Sequence, residues 1–369
     1  MKRLARFLAA ALVAAALFPA TGHPAEPDAE SSTPDAASIA ASAALEIDAF
    51  IARMRDEHGF DDAELTRLFV DFSPNPTVLQ AILPPAVRGD HSWKAYRARF
   101  LNPRRIQGGV LFWRRHEAEL KRAEARYGVP PEIIVAIIGI ETLYGHNTGR
   151  FNVLRSLASL AFYYPPRADY FKSELEQFLL FSRENGIDPA TITGSYAGAI
   201  GIPQFMPGSI RRFAVDFEDK GHIDLRNSTA DSIGSVASFL YQHGWERDDP
   251  VAVPASLQGD PEPLLALGIL PQKTLAELAA EGVTTPEFIA PGDPKRYAAL
   301  IDLETPGEKT EYWAGFNNFY ALTRYNRSNF YAMSVYQLAQ AISTAREKHP
   351  DKAPEGARPK TRAKGKKRS

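Results

Sequence analysis

Residues 133–140 read IIVAIIGI, so this stretch is apolar at every position. Pro130 and Pro131 precede it and can begin a helix, because the first N–H groups of a helix have no intrahelical partners. A helix that is apolar on every face must be buried. The rest of the chain therefore has to fold around this helix, and 369 residues are enough to bury a large core. Together with the helical patterns elsewhere in the chain, this helix predicts a mainly α (α+β) protein.

Glu141 directly follows the apolar stretch, near the end of the predicted helix, and Gly145 is a plausible C-terminal stop. Burial and the negative end of the helix dipole both disfavour a carboxylate. We therefore expect the pKa of Glu141 to rise toward the range that a general acid needs near neutral pH. A structural role is the alternative, in which the side chain reaches solvent at the helix end or pairs with Arg150 or Arg155. The residues alone leave both interpretations open.

A second informative stretch, residues 194–208, reads GSYAGAIGIPQFMPG. Its small residues let the backbone approach a ligand closely, and Gln204, Phe205 and Met206 add an amide, an aromatic ring and a thioether. This set suits a sugar, because amides bond to hydroxyl and acetamido groups and aromatic faces stack on pyranose rings. A tight turn over the core is the alternative. Residues 324–331, RYNRSNFY, either line the same groove or form a polar surface turn.

The two ends of the chain differ in composition from its body. Three basic residues precede an apolar run at 7–18 that is too short to span a bilayer, which predicts a secretory signal peptide over residues 1–22. A disordered linker is expected over residues 23–40. A disordered basic tail is expected over residues 347–369, where nine Lys or Arg occur with three Asp or Glu.

Between these ends, the residue patterns divide the chain into four parts. Helical periodicity predicts a helical N-terminal region over residues 41–128. The apolar helix belongs to a core over residues 129–250, and the Pro- and Gly-rich residues 251–318 predict an irregular or β-containing insertion. Residues 319–346 are expected to complete the groove and to include a last helix.

Composition excludes several classes of protein. The 43 Lys and Arg nearly balance the 44 Asp and Glu, so the charge does not indicate a nucleic-acid-binding protein. The chain has no Cys, which excludes a thiol nucleophile and a lipid anchor attached through cysteine. Histidines occur singly, without the spacing of metal ligands, and no G-x-S-x-G serine motif is present.

Several motifs together resemble those of the membrane-bound lytic murein transglycosylase B family, in order and in spacing. The resemblance extends from about residue 50 to residue 345. The motifs that carry it are VPPEII at 129–134, IET at 140–142, YPPRADYF at 164–171, GAIG at 198–201, QFMP at 204–207 and RYN at 324–326.

This resemblance implies a lysozyme-like catalytic core in which Glu141 is the catalytic acid/base. It implies that the substrate is the β-1,4 bond between N-acetylmuramic acid and N-acetylglucosamine in peptidoglycan, cleaved without water to give 1,6-anhydromuramoyl ends. It also implies a set of groove residues that hold the sugars, namely Ser195, Gln204, Phe205, Met206, Tyr325, Asn326 and Tyr331, with Tyr96 and Arg167 at the edges. Among the other carboxylates, Asp169, Glu174 and Asp188 have surface explanations. A hydrolytic muramidase and a non-catalytic peptidoglycan-binding scaffold are the alternatives.

Members of that family often carry an EF-hand-like calcium loop, which would fall here at residues 216–227. Asp216, Glu218 and Asp224 could contribute oxygens, but position five is Lys220 and position twelve is Asn227 in place of a bidentate Glu. An ammonium group repels a dication. We therefore expect weak or absent calcium binding, with Lys220 pairing with the neighbouring acids, and no cofactor.

The expected location is the periplasm, because peptidoglycan lies there and the chain begins with an export signal. The expected partners are peptidoglycan glycan strands, with cell-wall synthesis or division proteins as further candidates. Neither a nucleic-acid partner nor a membrane span is expected.

Overall fold

The computed structural model describes residues 36–83, 92–286 and 294–348. The predicted signal peptide lies outside these residues, as do nearly all of the predicted linker and tail. The first helix begins at Ala36, within the segment that was expected to be a disordered linker up to residue 40. The early start is consistent with the alanines in this stretch, because Ala has the highest helix propensity.

In the described residues of the N-terminal half, every regular element up to Thr142 is a helix. Its helices are α1 (Ala36–His58), α2 (Asp62–Phe69), α3 (Pro76–Ile82), α4 (Trp93–Phe100), α5 (Pro103–Arg115), α6 (Glu117–Tyr127) and α7 (Pro131–Thr142). Side-chain caps begin several of them: Asp61 accepts the N–H of Glu64 at 2.8 Å before α2, and Asn102 accepts the N–H of Arg105 at 3.0 Å before α5.

The C-terminal half mixes helices with short strands. Its elements are β1 (Phe151–Asn152), α8 (Val153–Tyr163), α9 (Ala168–Glu184), β2 (Thr193–Gly194), α10 (Pro207–Phe213), α11 (Thr229–Gln242), β3 (Ala252–Leu257), α12 (Glu262–Leu265), β4 (Lys273–Thr274), α13 (Leu275–Ala280), β5 (Val283–Thr284), β6 (Tyr297–Leu303), β7 (Glu311–Gly315), α14 (Asn317–Tyr325) and α15 (Asn329–Lys348).

Helix α7 is the apolar helix that the sequence predicts, and it lies at the centre of the molecule. It contacts α5, α6, α11 and α15, and Ile134, Ile137 and Ile138 are completely buried. Burying one such side chain contributes about 1.5–3 kcal/mol, so the helix is held by packing on all sides. The residue that follows its apolar stretch is thereby fixed relative to several other helices.

The segment 251–318 is more regular than the sequence suggests. It contains an antiparallel five-stranded sheet in the order β4-β6-β7-β3-β5. Strand β6 alternates between two cores: Leu300 packs in a small cluster with α12 and α13, while Ile301 and Leu303 pack against the main core. A two-stranded pair, β1 with β2, joins Phe151 to Gly194 and so ties the Gly-rich stretch to the start of α8.

The structure confirms the predicted fold class, a mainly α (α+β) protein. In the part of the chain that the structure describes, no helix combines the length and hydropathy needed to cross a bilayer.

Candidate active site

The carboxyl group of Glu141 lies in the last turn of α7 and receives a hydrogen bond from a distant tyrosine. Tyr331, at the start of α15, donates through its Oη to Glu141 Oε1 at 2.6 Å, and Tyr331 is only 2% exposed. The side chain of Glu141 is partly exposed, but it is surrounded by enough protein that burial raises its pKa to about 7. The Tyr331 bond opposes this rise, because it stabilises the carboxylate. Near neutral pH the group can therefore both donate and accept a proton.

Three tyrosines form a wall beside this carboxyl group. The rings of Tyr325 and Tyr331 stack with centroids 6.3 Å apart and planes 12° apart, and Tyr325 Oη donates to the carbonyl of Pro203 at 2.6 Å. Burial, and then the nearby Glu141 charge, raise the pKa of Tyr325, Tyr331 and Tyr96. All three stay neutral at physiological pH and keep their O–H donors.

The end of α7 is joined directly to the Gly-rich stretch. Thr142 Oγ1 donates to the carbonyl of Ile202 at 2.8 Å and accepts the N–H of Gly145 at 3.0 Å. The prediction that Gly145 stops the helix is wrong by two residues, because Leu143 already adopts a left-handed conformation, with φ of 51°. The contacts of Thr142 place Glu141 next to the predicted sugar-binding loop.

Close backbone packing shapes that loop. A Cβ at Gly149 would lie 2.1 Å from the carbonyl oxygen of Gly194, so only glycine fits there. Gln204 has a φ of 52°, and its Nε2 donates to the carbonyls of Gly201 at 2.8 Å and Thr148 at 3.1 Å. Within the described residues no donor reaches its amide oxygen, which can therefore accept from a sugar N–H or O–H.

Two of the predicted groove residues are buried and support neighbouring parts of the site. The Phe205 ring is 2% exposed and packs against Tyr325, with centroids 5.7 Å apart, so it supports the tyrosine wall and cannot stack on a sugar. Ser195 is also buried, and its Oγ accepts the N–H of Ala199 at 3.0 Å within the loop. The expectation of a stacking face at Phe205 is therefore wrong, since the aromatic signal in the sequence marks the core.

The other predicted groove residues remain partly exposed. Met206 precedes α10, and Asn326 ends α14 next to Tyr325. Arg167 lies over the rings of Tyr170 and Phe171, at 4.5 and 5.1 Å from their centroids, before α9. Arg167 therefore contacts rings of α9, whereas Tyr325 and Tyr331 belong to α14 and α15.

A buried carboxylate was missed from the sequence. Glu174 was expected to lie on the surface, but it is 7% exposed and accepts the N–H of Gly208 at 2.8 Å, and burial raises its pKa. The spacing of Phe171, Glu174, Leu175 and Phe178 puts Glu174 on the inner face of α9, a signal that could have identified it. It anchors the start of α10, directly after the loop that carries Gln204. Asp169 and Asp188 are exposed, as expected.

The residues of the calcium-type loop are bonded to protein groups. Lys220 Nζ lies 2.8 Å from Glu218 Oε2, which also accepts from Ser228 Oγ at 2.7 Å. Asp224 accepts the N–H groups of Arg226 and Asn227, both at 3.0 Å. The Lys220 ammonium group thus lies within the loop and is paired with a carboxylate.

A cavity of about 320 Å³ lies beside this loop. His116, Glu119, Lys220 and Asp231 contribute to its walls. None of its lining residues belongs to the groove around Glu141, so the cavity is separate from the candidate active site.

Comparisons with known proteins show the family to which the chain belongs. Residues 42–340 match the family described as "Transglycosylase SLT domain". The chain is 42% identical over 306 residues to membrane-bound lytic murein transglycosylase B of Escherichia coli K12, covering 80% of this chain and 82% of the relative.

Two solved structures have the same fold. Soluble lytic transglycosylase SltB1 from Pseudomonas aeruginosa is 45% identical with a TM-score of 0.75, over 82% of this chain and 99% of that chain. SltB3 from the same organism, in complex with NAG-anhNAM-pentapeptide, is 30% identical with a TM-score of 0.70, over 82% of this chain and 80% of that chain. The chain therefore belongs to the transglycosylase SLT-domain family and is a lytic murein transglycosylase with a lysozyme-like fold.

Proposed function

We propose that Glu141 is the single acid/base with which this enzyme cleaves the β-1,4 bond between N-acetylmuramic acid and N-acetylglucosamine in peptidoglycan. The observation that carries the proposal is the partly exposed carboxyl group whose pKa burial raises to about 7. Tyr331 donates to Oε1, so the proton to be transferred resides on Oε2. An acid with a pKa near the operating pH is suited to both halves of the reaction.

In the first half, Glu141 protonates the bridging oxygen as the bond to the anomeric carbon of the muramoyl sugar breaks. The departing oxygen keeps the bonding electron pair, and positive charge develops at the anomeric carbon, where the acetamido group of the same sugar can assist. In the second half, the 6-hydroxyl of that sugar attacks the anomeric carbon and gives its proton to the Glu141 carboxylate. The enzyme returns to its starting state, no water is consumed, and a 1,6-anhydro end results.

Two features support the intramolecular route. It needs one carboxylate, whereas hydrolysis by retention or inversion commonly uses two, and the buried Glu174 is engaged in anchoring Gly208. In addition, the relative SltB3 is in complex with NAG-anhNAM-pentapeptide, which carries the anhydro end that this route produces.

Mass spectrometry of digested sacculi tests the proposal with the wild type and Glu141→Gln. The wild type should release muropeptides with anhydro ends, which are one water lighter than reducing ends. Glu141→Gln should bind sacculi without releasing muropeptides. Reducing ends would identify a hydrolytic muramidase, and sacculus binding by the wild type without release would identify a scaffold.

We further propose that the loop at residues 216–227 keeps its shape without calcium. Lys220 supplies a positive charge to Glu218, and Asp231, which is 1% exposed, accepts the N–H groups of Phe217 at 2.8 Å and Asp224 at 2.9 Å. Thermal denaturation with calcium and with a chelator should give the same melting temperature. A large rise with calcium would contradict the proposal, because a ligand that binds only the folded state stabilises it.

The proposed site of action is the periplasm, on peptidoglycan glycan strands, with export directed by the N-terminal signal. Cell fractionation tests this location. Recovery of the protein in the cytoplasmic fraction would contradict it. Cell-wall synthesis and division proteins remain proposed partners, and co-purification after cross-linking tests them.

A further inference from the structure

The chain turns sharply two residues after Glu141. Leu143 and Tyr144 are consecutive residues with positive φ values, 51° and 64°. The left-handed region is disfavoured for residues with a Cβ, and such residues persist at functional sites only where the surrounding structure holds them. The contacts of Tyr144 show what holds this turn.

The ring of Tyr144 fills a notch between α5 and α7 that is lined by three glycines, here called the glycine notch: Gly108, Gly109 and Gly139. A Cβ at Gly108 would lie 2.7 Å from Tyr144 Cε2, and one at Gly139 would lie 2.6 Å from Tyr144 Oη. A Cβ at Gly109 would lie 2.8 Å from the same Oη and 2.5 Å from Ile342 Cδ1 of α15. Because real Cβ atoms do not approach other atoms within 3.0 Å, the ring needs glycine at these positions.

Hydrogen bonds fasten the same turn to α5. Tyr144 Oη donates to the carbonyl of Arg105 at 2.6 Å, and Arg105 Nε donates to the carbonyl of Gly139 at 2.9 Å. The backbone N–H of Tyr144 also bonds to the carbonyl of Ile138 at 3.3 Å. The last turn of α7, from which Glu141 projects, is thus held on both sides.

The glycines are otherwise unfavourable where they occur. Gly108 and Gly109 lie inside α5, and Gly139 lies inside α7, where glycine destabilises a helix relative to alanine. The space that the Tyr144 ring occupies explains why glycine is present at these positions.

We propose that Tyr144 is a positioning residue for Glu141. Its ring, seated in the glycine notch, holds the left-handed turn and fixes the direction in which Glu141 projects toward Tyr331. The proposal rests on the proposed function of Glu141 as the acid/base. Tyr144 itself touches no substrate in this role and acts only through the end of α7.

The first test is Gly108→Ala, measured by the rate of anhydromuropeptide release across pH. The three atoms nearest to the added Cβ all belong to Tyr144, and alanine favours helix α5, so the substitution displaces the ring while the helix is kept. We expect kcat to fall at least tenfold. The alkaline limb of kcat/KM should also move to lower pH, as Glu141 gains access to water.

The second test approaches the same ring from the other helix. Gly139→Ala should have a similar effect, and the double variant Gly108→Ala with Gly139→Ala should be no slower than the slower single variant, because both displace one ring. Losses that multiply would overturn the proposal. If Gly139→Ala does not fold, the Tyr144→Phe variant takes its place in this test. Tyr144→Phe keeps the ring and removes only the hydrogen bond to Arg105.

Tyr144→Phe should lower kcat at least threefold, and Tyr241→Phe, at an exposed tyrosine, is its matched control. A Gly108→Ala or Tyr144→Phe protein that is less stable but keeps the wild-type kcat and pH profile would show a merely structural role and overturn the proposal. A wild type that forms no anhydro ends would instead contradict the proposed function, and the Tyr144 proposal with it. The two failures are therefore distinguishable.

Discussion

Replacing the acid/base with a neutral amide should stabilise the folded protein above neutral pH. In Glu141→Gln, the amide oxygen can still accept the hydrogen bond from Tyr331, while the substitution removes a carboxylate whose ionisation the fold disfavours. The protein raises the pKa of Glu141 from its ordinary 4.5 to about 7. Because the folded state favours the protonated form, the wild type loses stability as pH rises from the lower value to the higher one.

The size of the effect follows from the shift in pKa. The difference between 7 and 4.5 is about 2.5 units, and each unit corresponds to roughly 1.4 kcal/mol, giving a ceiling of about 3–4 kcal/mol. Partial exposure of the side chain to water reduces the expected gain to about 1–3 kcal/mol. The gain should be nearly absent at pH 4.5, grow through pH 7 and remain constant above it.

Urea unfolding at a series of pH values from 4.5 to 8.5 measures this difference. Glu57→Gln, at an exposed glutamate, reports the effect of the amide substitution alone. A difference between Glu141→Gln and the wild type that stays constant over the whole range would refute the reasoning. Glu141 would then be no less hydrated in the folded protein than in the unfolded chain.

Three other predictions concern the groove, the calcium-type loop and the Gly-rich loop. Tyr331→Phe removes the donor that stabilises the Glu141 carboxylate, so the alkaline limb of kcat/KM should move to higher pH by about one pH unit. A pH–rate profile in which this limb stays in place or moves to lower pH would contradict the prediction. Asp231→Ala leaves buried N–H groups without an acceptor, so the free energy of unfolding in urea titrations should fall by about 2–4 kcal/mol. A loss below about 1 kcal/mol would show that other contacts hold the loop at residues 216–227. Gly149→Ala should lower the free energy of unfolding by at least about 3 kcal/mol or prevent folding, because the φ of Gly149 is 90° and an added Cβ would meet the Gly194 carbonyl. A melting temperature equal to that of the wild type would disprove this close approach.

Local sequence signals predicted the features that depend on neighbouring residues. The run at 133–140 is apolar on every side, and it forms a buried central helix because no face of it can remain in water. The same reasoning placed an acid at the end of that helix with a raised pKa, and the structure has Glu141 there.

Predictions from local sequence patterns were wrong where a side chain could face either the core or the outside of the protein. Phe205 follows a Gly-rich stretch and was expected to meet sugar, but its ring faces Phe239 and Tyr325 in the core. Glu174 was expected on the surface, but the inner face of α9 carries it to the N–H of Gly208. Composition reports that a residue is apolar or charged, and only packing determines what it faces.

Sequence patterns were sufficient to predict that the chain is mainly helical, that one helix is buried, and that an acid lies at its end, because periodicity and residue type act over a few positions. The groups that this acid contacts depend on the packing of distant elements. Tyr331 is 190 residues away from Glu141 in the chain, and Tyr144 needs glycines on two different helices. Contacts of this kind depend on how helices cross, which is set by the packing of the whole core and cannot be determined from any short stretch of sequence.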